Sequence, residues 1–262
     1  QSKSLLNPIL AITLILGLLS ANATSVFAAS SYSIALEEFR WNRFPIKVLV
    51  NMNQWGTSDY ALEIHEALSS WISCIQTFTD SYPDNIMRNI EWNFYISNVN
   101  STTSYDIFIT FVPNEISPHS VGLTTYRWNR ATHEPMPPIT IDITTYSMAA
   151  SRLFVKNVVM HELGHALGLG HASSSSATDG PELMYFSSAT TRTVYPSTLD
   201  LYGLTQLYQD IYGISVQLPS DIPYKTVWPL AYGKVSIITG VENITVAGAG
   251  VYRLGTVVTL RV

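Results

Sequence analysis

His161-Glu162-Leu163-Gly164-His165-Ala166-Leu167-Gly168-Leu169-Gly170-His171 is the stretch on which the reading of this 262-residue chain turns. It has the form H-E-x-x-H-x-x-G-x-x-H, and each fixed position has a physical reason. A helix is expected from about Met148 to Leu167. On it, His161 and His165 are separated by about 40° around the axis and by one turn along it, so both imidazoles face one point. Glu162 sits on the edge of the same face, close enough to reach a metal-bound water but not placed as a ligand. Gly168 ends the helix, because glycine accepts the backbone conformation that turns a chain sharply. That turn lets His171 return as a third ligand. Three protein ligands leave a fourth position open to water, which is the arrangement of a catalytic rather than a structural zinc site. With this chain's own His, Glu and Gly frequencies, the five letters arise by chance in roughly 1 in 10⁵ such chains, so coincidence is negligible.

On either side of this stretch the chain alternates extended and helical patterns. Phe44–Val50 (FPIKVLV) reads as a first strand, followed by the polar turn Asn51–Gly56. Ser58 or Asp59 can cap a helix whose apolar positions Ile64, Leu68, Trp71, Ile72, Ile75 and Phe78 recur at helical spacing. Cys74 lies beside that stripe and reads as a buried, inert thiol. His65 on the same helix reads as a surface or packing residue. Four more extended runs follow: Ile90–Ile96, Asp106–Val112, Gly122–Trp128 and, after a Pro-rich bend, Ile139–Ile143. Ser197 and Asp200 have the spacing of a capping box, opening a third helix with Leu201, Leu204, Leu207, Tyr208 and Ile211 on its apolar face. The order β-α-β-β-β-β-α-α indicates an α+β fold with about three helices. From Ile214 to Val262 prolines punctuate short β-like runs at 234–238, 244–247 and 256–262, an expected β-rich accessory segment.

Composition narrows the function classes. At 47% hydrophobic and 13% charged, the chain is no disordered protein. The net charge of −5 and the lack of any basic run argue against nucleic-acid binding. A single cysteine excludes an intramolecular disulfide framework and a cysteine-rich zinc module. Lys3, the apolar run Leu5–Leu19 and the small residues up to Ala28 have the form of a signal peptide over residues 1–29. The expected location is therefore extracellular; an uncleaved N-terminal anchor at the cell surface is the alternative. After removal of the leader no stable membrane span is expected. Asn100 and Asn243 have the form of N-glycosylation acceptors.

Taken together, these residues resemble a matrixin, the matrix-metalloprotease type of metzincin, over roughly Arg40 to Gly213. Beyond the zinc signature, Leu183-Met184-Tyr185 resembles the family's Met-turn, which places a methionine beneath the zinc ligands. Asp106–Phe111 looks like its third strand, Phe44-Pro-Ile-Lys like the entry to its catalytic domain, and Leu199–Tyr208 like its last helix. The resemblance implies a metzincin-type catalytic domain over residues 37–213, with a twisted mixed β-sheet. It also implies a secreted zinc endopeptidase with Glu162 as general base and His161, His165 and His171 on one catalytic zinc. A protein or peptide substrate would lie extended along an edge strand, against Gly122, Leu123, Thr124, Thr125 and Tyr126. The chain departs from the pattern in several places. Twelve residues separate His171 from Met184, Phe186 stands where some metzincins place a tyrosine, and no proline follows Met184-Tyr185. No cysteine-switch propeptide is expected. His119, His133, Asp106, Glu115, Glu134 and Asp142 lack the family's spacing for structural calcium or a second zinc, and read as surface residues. The rival reading is a zinc-containing surface or adhesion protein without proteolytic activity.

Overall fold

β-branched and aromatic runs bounded by turns form the strands, and two amphipathic runs with one capping-box segment form the helices. The computed structural model describes residues 32–51, 60–97, 105–112, 116, 120–144, 151–187, 191–230, 232–235 and 250–253. The 1–29 leader, the caps Ser58 and Asp59, both glycosylation acceptors, Glu115, His119 and the runs at 244–247 and 256–262 lie outside the described residues. In chain order the first elements are β1 (Ser33–Leu36), β2 (Ile46–Val50), α1 (Ala61–Ser81), β3 (Phe94–Ser97) and β4 (Ile107–Val112). Next come β5 (Gly122–Thr125), β6 (Trp128–Asn129), β7 (Glu134–Pro135), β8 (Ile139–Thr144) and α2 (Arg152–Ala166). The remainder are β9 (Leu169–Ala172), α3 (Thr198–Leu207), β10 (Ser215–Gln217), β11 (Tyr232–Val235) and β12 (Gly250–Arg253).

The main sheet has five strands in the order β3-β2-β4-β8-β5. Its first four strands are mutually parallel, and β5 runs antiparallel to β8 at the edge. Parallel strands are covered on both faces, which accounts for the near-continuous apolar run of β4, whereas β8 alternates buried isoleucines with Thr140, Asp142 and Thr144. The α1 stripe is buried as its spacing predicts, at Ile64, Leu68, Trp71, Ile75 and Phe78. Two indoles fasten α2, the helix that carries the first two histidines. Trp71 Nε1 donates to Met160 O at 2.9 Å, and Trp41 Nε1 donates to Ala166 O at 2.8 Å, satisfying a C-terminal carbonyl the helix leaves unpaired. At the other end Ser151 Oγ accepts from Phe154 N, capping the helix at 151. No described helix is long and apolar enough to cross a membrane.

β1, β7, β9, β10 and β12 have no counterpart among the extended runs of the sequence reading. β1 and β9 pair antiparallel, and β10 closes a second sheet in the order β10-β1-β9. The run 90–96 contributes only Phe94–Ser97, because a 3₁₀ helix at Ile86–Asn89, capped by Asn85, precedes it. Residues 215–230 fold back on β1, α3 and α1, through β10 and then a strap. Thr198 N donates to Lys225 O, Val227 N to Pro196 O and Leu230 N to Ser73 Oγ. β11 and β12 pair antiparallel. Asp106 corrects an expectation: it is buried rather than superficial, with its carboxylate accepting from Lys47 N at 2.8 Å and paired with Arg43. His65 is exposed, and Cys74 is fully buried with its thiol donating to Val227 O at 3.0 Å. Burial pushes that thiol's pKa well up, which keeps it unreactive.

The turn after α2 is where the backbone is most constrained. Gly168 has φ +102°, and a Cβ there would stand 2.6 Å from Phe39 O. Both the dihedral and the contact require glycine. We expect Gly168→Ala to cost about 2–4 kcal/mol in chemical denaturation, combining backbone strain with a steric conflict against main chain. A loss below 0.5 kcal/mol would show that the turn relaxes without glycine.

Candidate active site

α2 sets His161 and His165 one turn apart, and β9, entered through the Gly168 turn, brings His171 back to them. The ring centroids lie 4.7, 4.9 and 5.3 Å apart, and one nitrogen from each ring falls within 4.8 Å of the others. Their protonation follows from their partners. His161 Nδ1 lies 2.7 Å from Leu183 O, and His165 Nδ1 lies 2.7 Å from Leu169 O. A carbonyl only accepts, so each Nδ1 carries the proton and each Nε2 presents a lone pair. Those two Nε2 atoms are 3.1 Å apart. Two lone pairs at that distance repel one another unless a cation lies between them, and three neutral imidazoles form a donor set that suits zinc. Burial drives the pKa values down to about 4 for His161 and about 3 for His165, keeping both in the ligating form. His171 is the exposed member, and burial lowers its pKa too.

Glu162 lies beside the triad and against the edge strand. Thr124 Oγ1 donates to Glu162 Oε2 at 2.7 Å and also sits 3.0 Å from Glu162 O. At Gly122 a Cβ would run into the Glu162 carboxylate, so glycine is what lets β5 come this close. Burial raises the Glu162 carboxyl to about 7, and the Thr124 hydrogen bond pulls in the opposite direction. A carboxyl poised near neutrality can take and return a proton. Leu123 and Thr125 face solvent, as the two-residue period of a strand requires. The cleft measures about 640 Å³ and is lined by the triad, Glu162, β5, Tyr126, Glu37, Val158 and Phe186.

Met184 lies fully buried, with its Sδ and Cε packed against Gly164 of α2. Its backbone is held by Ala172 N, which donates to Met184 O at 2.8 Å, and by Glu182 Oε1, which accepts from Met184 N at 3.3 Å. Glu182 is itself buried. Its Oε2 accepts from the Tyr224 hydroxyl at 2.6 Å, and its carboxylate faces Asp200 on α3. Asp200 completes the Ser197 capping box through Oδ2, which leaves its buried Oδ1 for Glu182. Two buried carboxyls in contact cannot both ionise. Burial, then the Glu182 charge, raises the Asp200 pKa well above the carboxylate range, so Asp200 keeps its proton and donates it to Glu182.

The structure thus brings together every proposed metal ligand, Glu162, Met184 and the strand 122–126. His133 lies elsewhere, on the turn into β7, with Glu134 on β7 and Asp142 on β8. Sequence reasoning named Thr124 for substrate contact only and overlooked its bond to Glu162. Glu37, Tyr224 and Glu182 carried no local signal. A family model described as Matrixin matches residues 40–209. The chain belongs to the matrixin family. Membership places it among zinc-dependent metallopeptidases, which take peptide substrates, and its α+β architecture is that of a matrixin catalytic domain. No curated protein matches this matrixin.

The carboxyl pair behind the Met-turn makes stability depend on pH. An acid whose folded pKa is raised binds its proton more tightly when folded. Its contribution is therefore complete below about pH 4, the unfolded value, and is lost as pH rises toward the folded value. Asp200→Asn can retain both hydrogen bonds without a titratable proton. We expect the Tm of Asp200→Asn to gain on that of the native chain as pH rises from 4 to 8. A difference that does not change with pH would contradict the shared proton.

Proposed function

We propose that this matrixin is a secreted zinc endopeptidase that hydrolyses peptide bonds in extended protein segments, with Glu162 as its general base and acid. The observation that carries the reading is the pair of Nε2 lone pairs 3.1 Å apart, with the Glu162 carboxyl beside them at the edge of β5. His161, His165 and His171 would hold the metal, with His171 the member nearest solvent. Zinc there supplies Lewis acidity, lowering the pKa of water and polarising a carbonyl. Glu162 accepts the proton of the attacking water and delivers it to the leaving amine. Thr124 fixes the rotamer of that carboxylate through its hydroxyl. Among the described residues β5 ends the sheet order, and its outer edge can take an extended peptide that pairs through main-chain hydrogen bonds. Export rests on the form of residues 1–29. We assign the catalytic domain to residues 37–213, with residues 33–36 and 215–230 folded onto it and the rest of 214–262 as a β-rich accessory segment.

Two measurements test the reading. Glu162→Ala should retain one zinc per chain yet cleave an unstructured protein about 10²–10⁴-fold more slowly, and a chelator should abolish cleavage by the native chain. Native-like turnover by Glu162→Ala would remove Glu162 from the chemistry. A zinc-loaded native chain that cleaves nothing would favour the adhesion reading.

Thr124→Val should lower kcat by about tenfold, the worth of one hydrogen bond to a charged group. Its loss also lifts a restraint on the Glu162 pKa, so the acid limb of kcat/KM should move to higher pH, while Thr124→Ser keeps the native profile. An unmoved acid limb in Thr124→Val would rule out this coupling.

A further inference from the structure

The cleft differs chemically along its length. Past Thr125 the chain reaches Tyr126, and facing it stands Glu37, the residue after β1. The Tyr126 hydroxyl donates to the Glu37 carboxylate, which lines the same cleft as His171. The backbone at Glu37 is pinned on both sides. Its N–H donates to Gly168 O at 2.9 Å, and its carbonyl accepts from Gly213 N at 3.2 Å. Neighbouring Ala35, which also lines the cleft, has only a methyl side chain. Arg40 pairs with Asp210, Arg43 with Asp106, Arg152 with Glu63 and Lys156 with Glu66. None of these engages Glu37. A half-buried carboxylate with a fixed backbone, one hydroxyl donor and no ion pair among the described residues presents a counter-charge to a ligand.

We propose that Glu37, braced by Tyr126, is a specificity-determining residue that selects Arg or Lys on the amino-terminal side of the scissile bond. The side follows from strand geometry. A peptide added antiparallel to β5 runs from the Tyr126 end toward Gly122. Gly122 and Thr124 both touch Glu162, so the bond that is cut lies over them. Residues preceding that bond then fall beside Tyr126 and Glu37. The inference rests on the endopeptidase reading above.

The test uses quenched peptides of one sequence carrying Arg, Gln or Glu at each of the three positions before the scissile bond, and a matched set with the substitutions after it. For the zinc-loaded native chain, kcat/KM should favour Arg over Gln by about fivefold at one preceding position, the worth of a partly exposed ion pair. Glu should be disfavoured there. The Arg-to-Gln ratio should fall to near one in Glu37→Gln, and the order of Arg and Glu should reverse in Glu37→Lys. Binding of the same peptides to zinc-loaded Glu162→Ala, followed by fluorescence anisotropy, should rank them the same way. Cleavage without charge preference, preference confined to positions after the bond, or preference that survives Glu37→Gln would each overturn the proposal and leave the endopeptidase reading standing. Charge-ranked binding without cleavage by the native chain would do the reverse.

Discussion

Two imidazole lone pairs aimed at each other across 3.1 Å are the constraint around which the rest is organised. Left alone, His161 and His165 would rotate apart. They are prevented by two main-chain carbonyls, Leu183 O and Leu169 O, each of which holds one Nδ1 proton. Those carbonyls belong to the Met-turn and to β9, so ring orientation depends on how both segments sit against α2. The indoles of Trp71 and Trp41 keep α2 in register, the first against α1 and the second at its C-terminus. The small sheet of β1, β9 and β10 holds the return strand of His171. An electrostatically unfavourable cluster is thus held ready for a cation by a dense and mostly apolar frame.

Buried carboxyls appear on both sides of that cluster and solve the same problem differently. Glu162, at the cleft, is raised to about 7 by burial and partly stabilised by one hydroxyl, which leaves it able to exchange a proton. Glu182 and Asp200, behind Met184, resolve their mutual repulsion by sharing a proton. The second arrangement ties the Met-turn to the capping box of α3 and, through Tyr224, to the strap that follows β10. Residues well beyond the last helix therefore help set the floor of the metal site.

Much of this was legible in the sequence, and the parts that were not share a cause. The α1 stripe, the capping box at Ser197 and the extended runs of β4 and β8 follow from periodicities within a few residues. β1 and β9 escaped notice because each is only four residues long and their pairing joins segments about 140 residues apart, as the Ser33–Ser173 contact shows. Asp106 looked superficial because an acidic residue usually is. It is buried because Lys47 N and Arg43 reach it from β2 and the chain preceding it, a match that no local pattern reveals.

The sequence by itself determined the three histidines, Glu162 beside them and the glycine turn that returns His171. Helical spacing and the freedom of glycine at positive φ are local properties of the chain. Only the tertiary structure decided which nitrogen of each ring is free, how Glu162 is held by Thr124, and that Glu37 and Tyr126 face the cleft. Each of these depends on carbonyls, hydroxyls and carboxylates from distant segments. Their positions are set by strand pairing and core packing rather than by any neighbour along the chain.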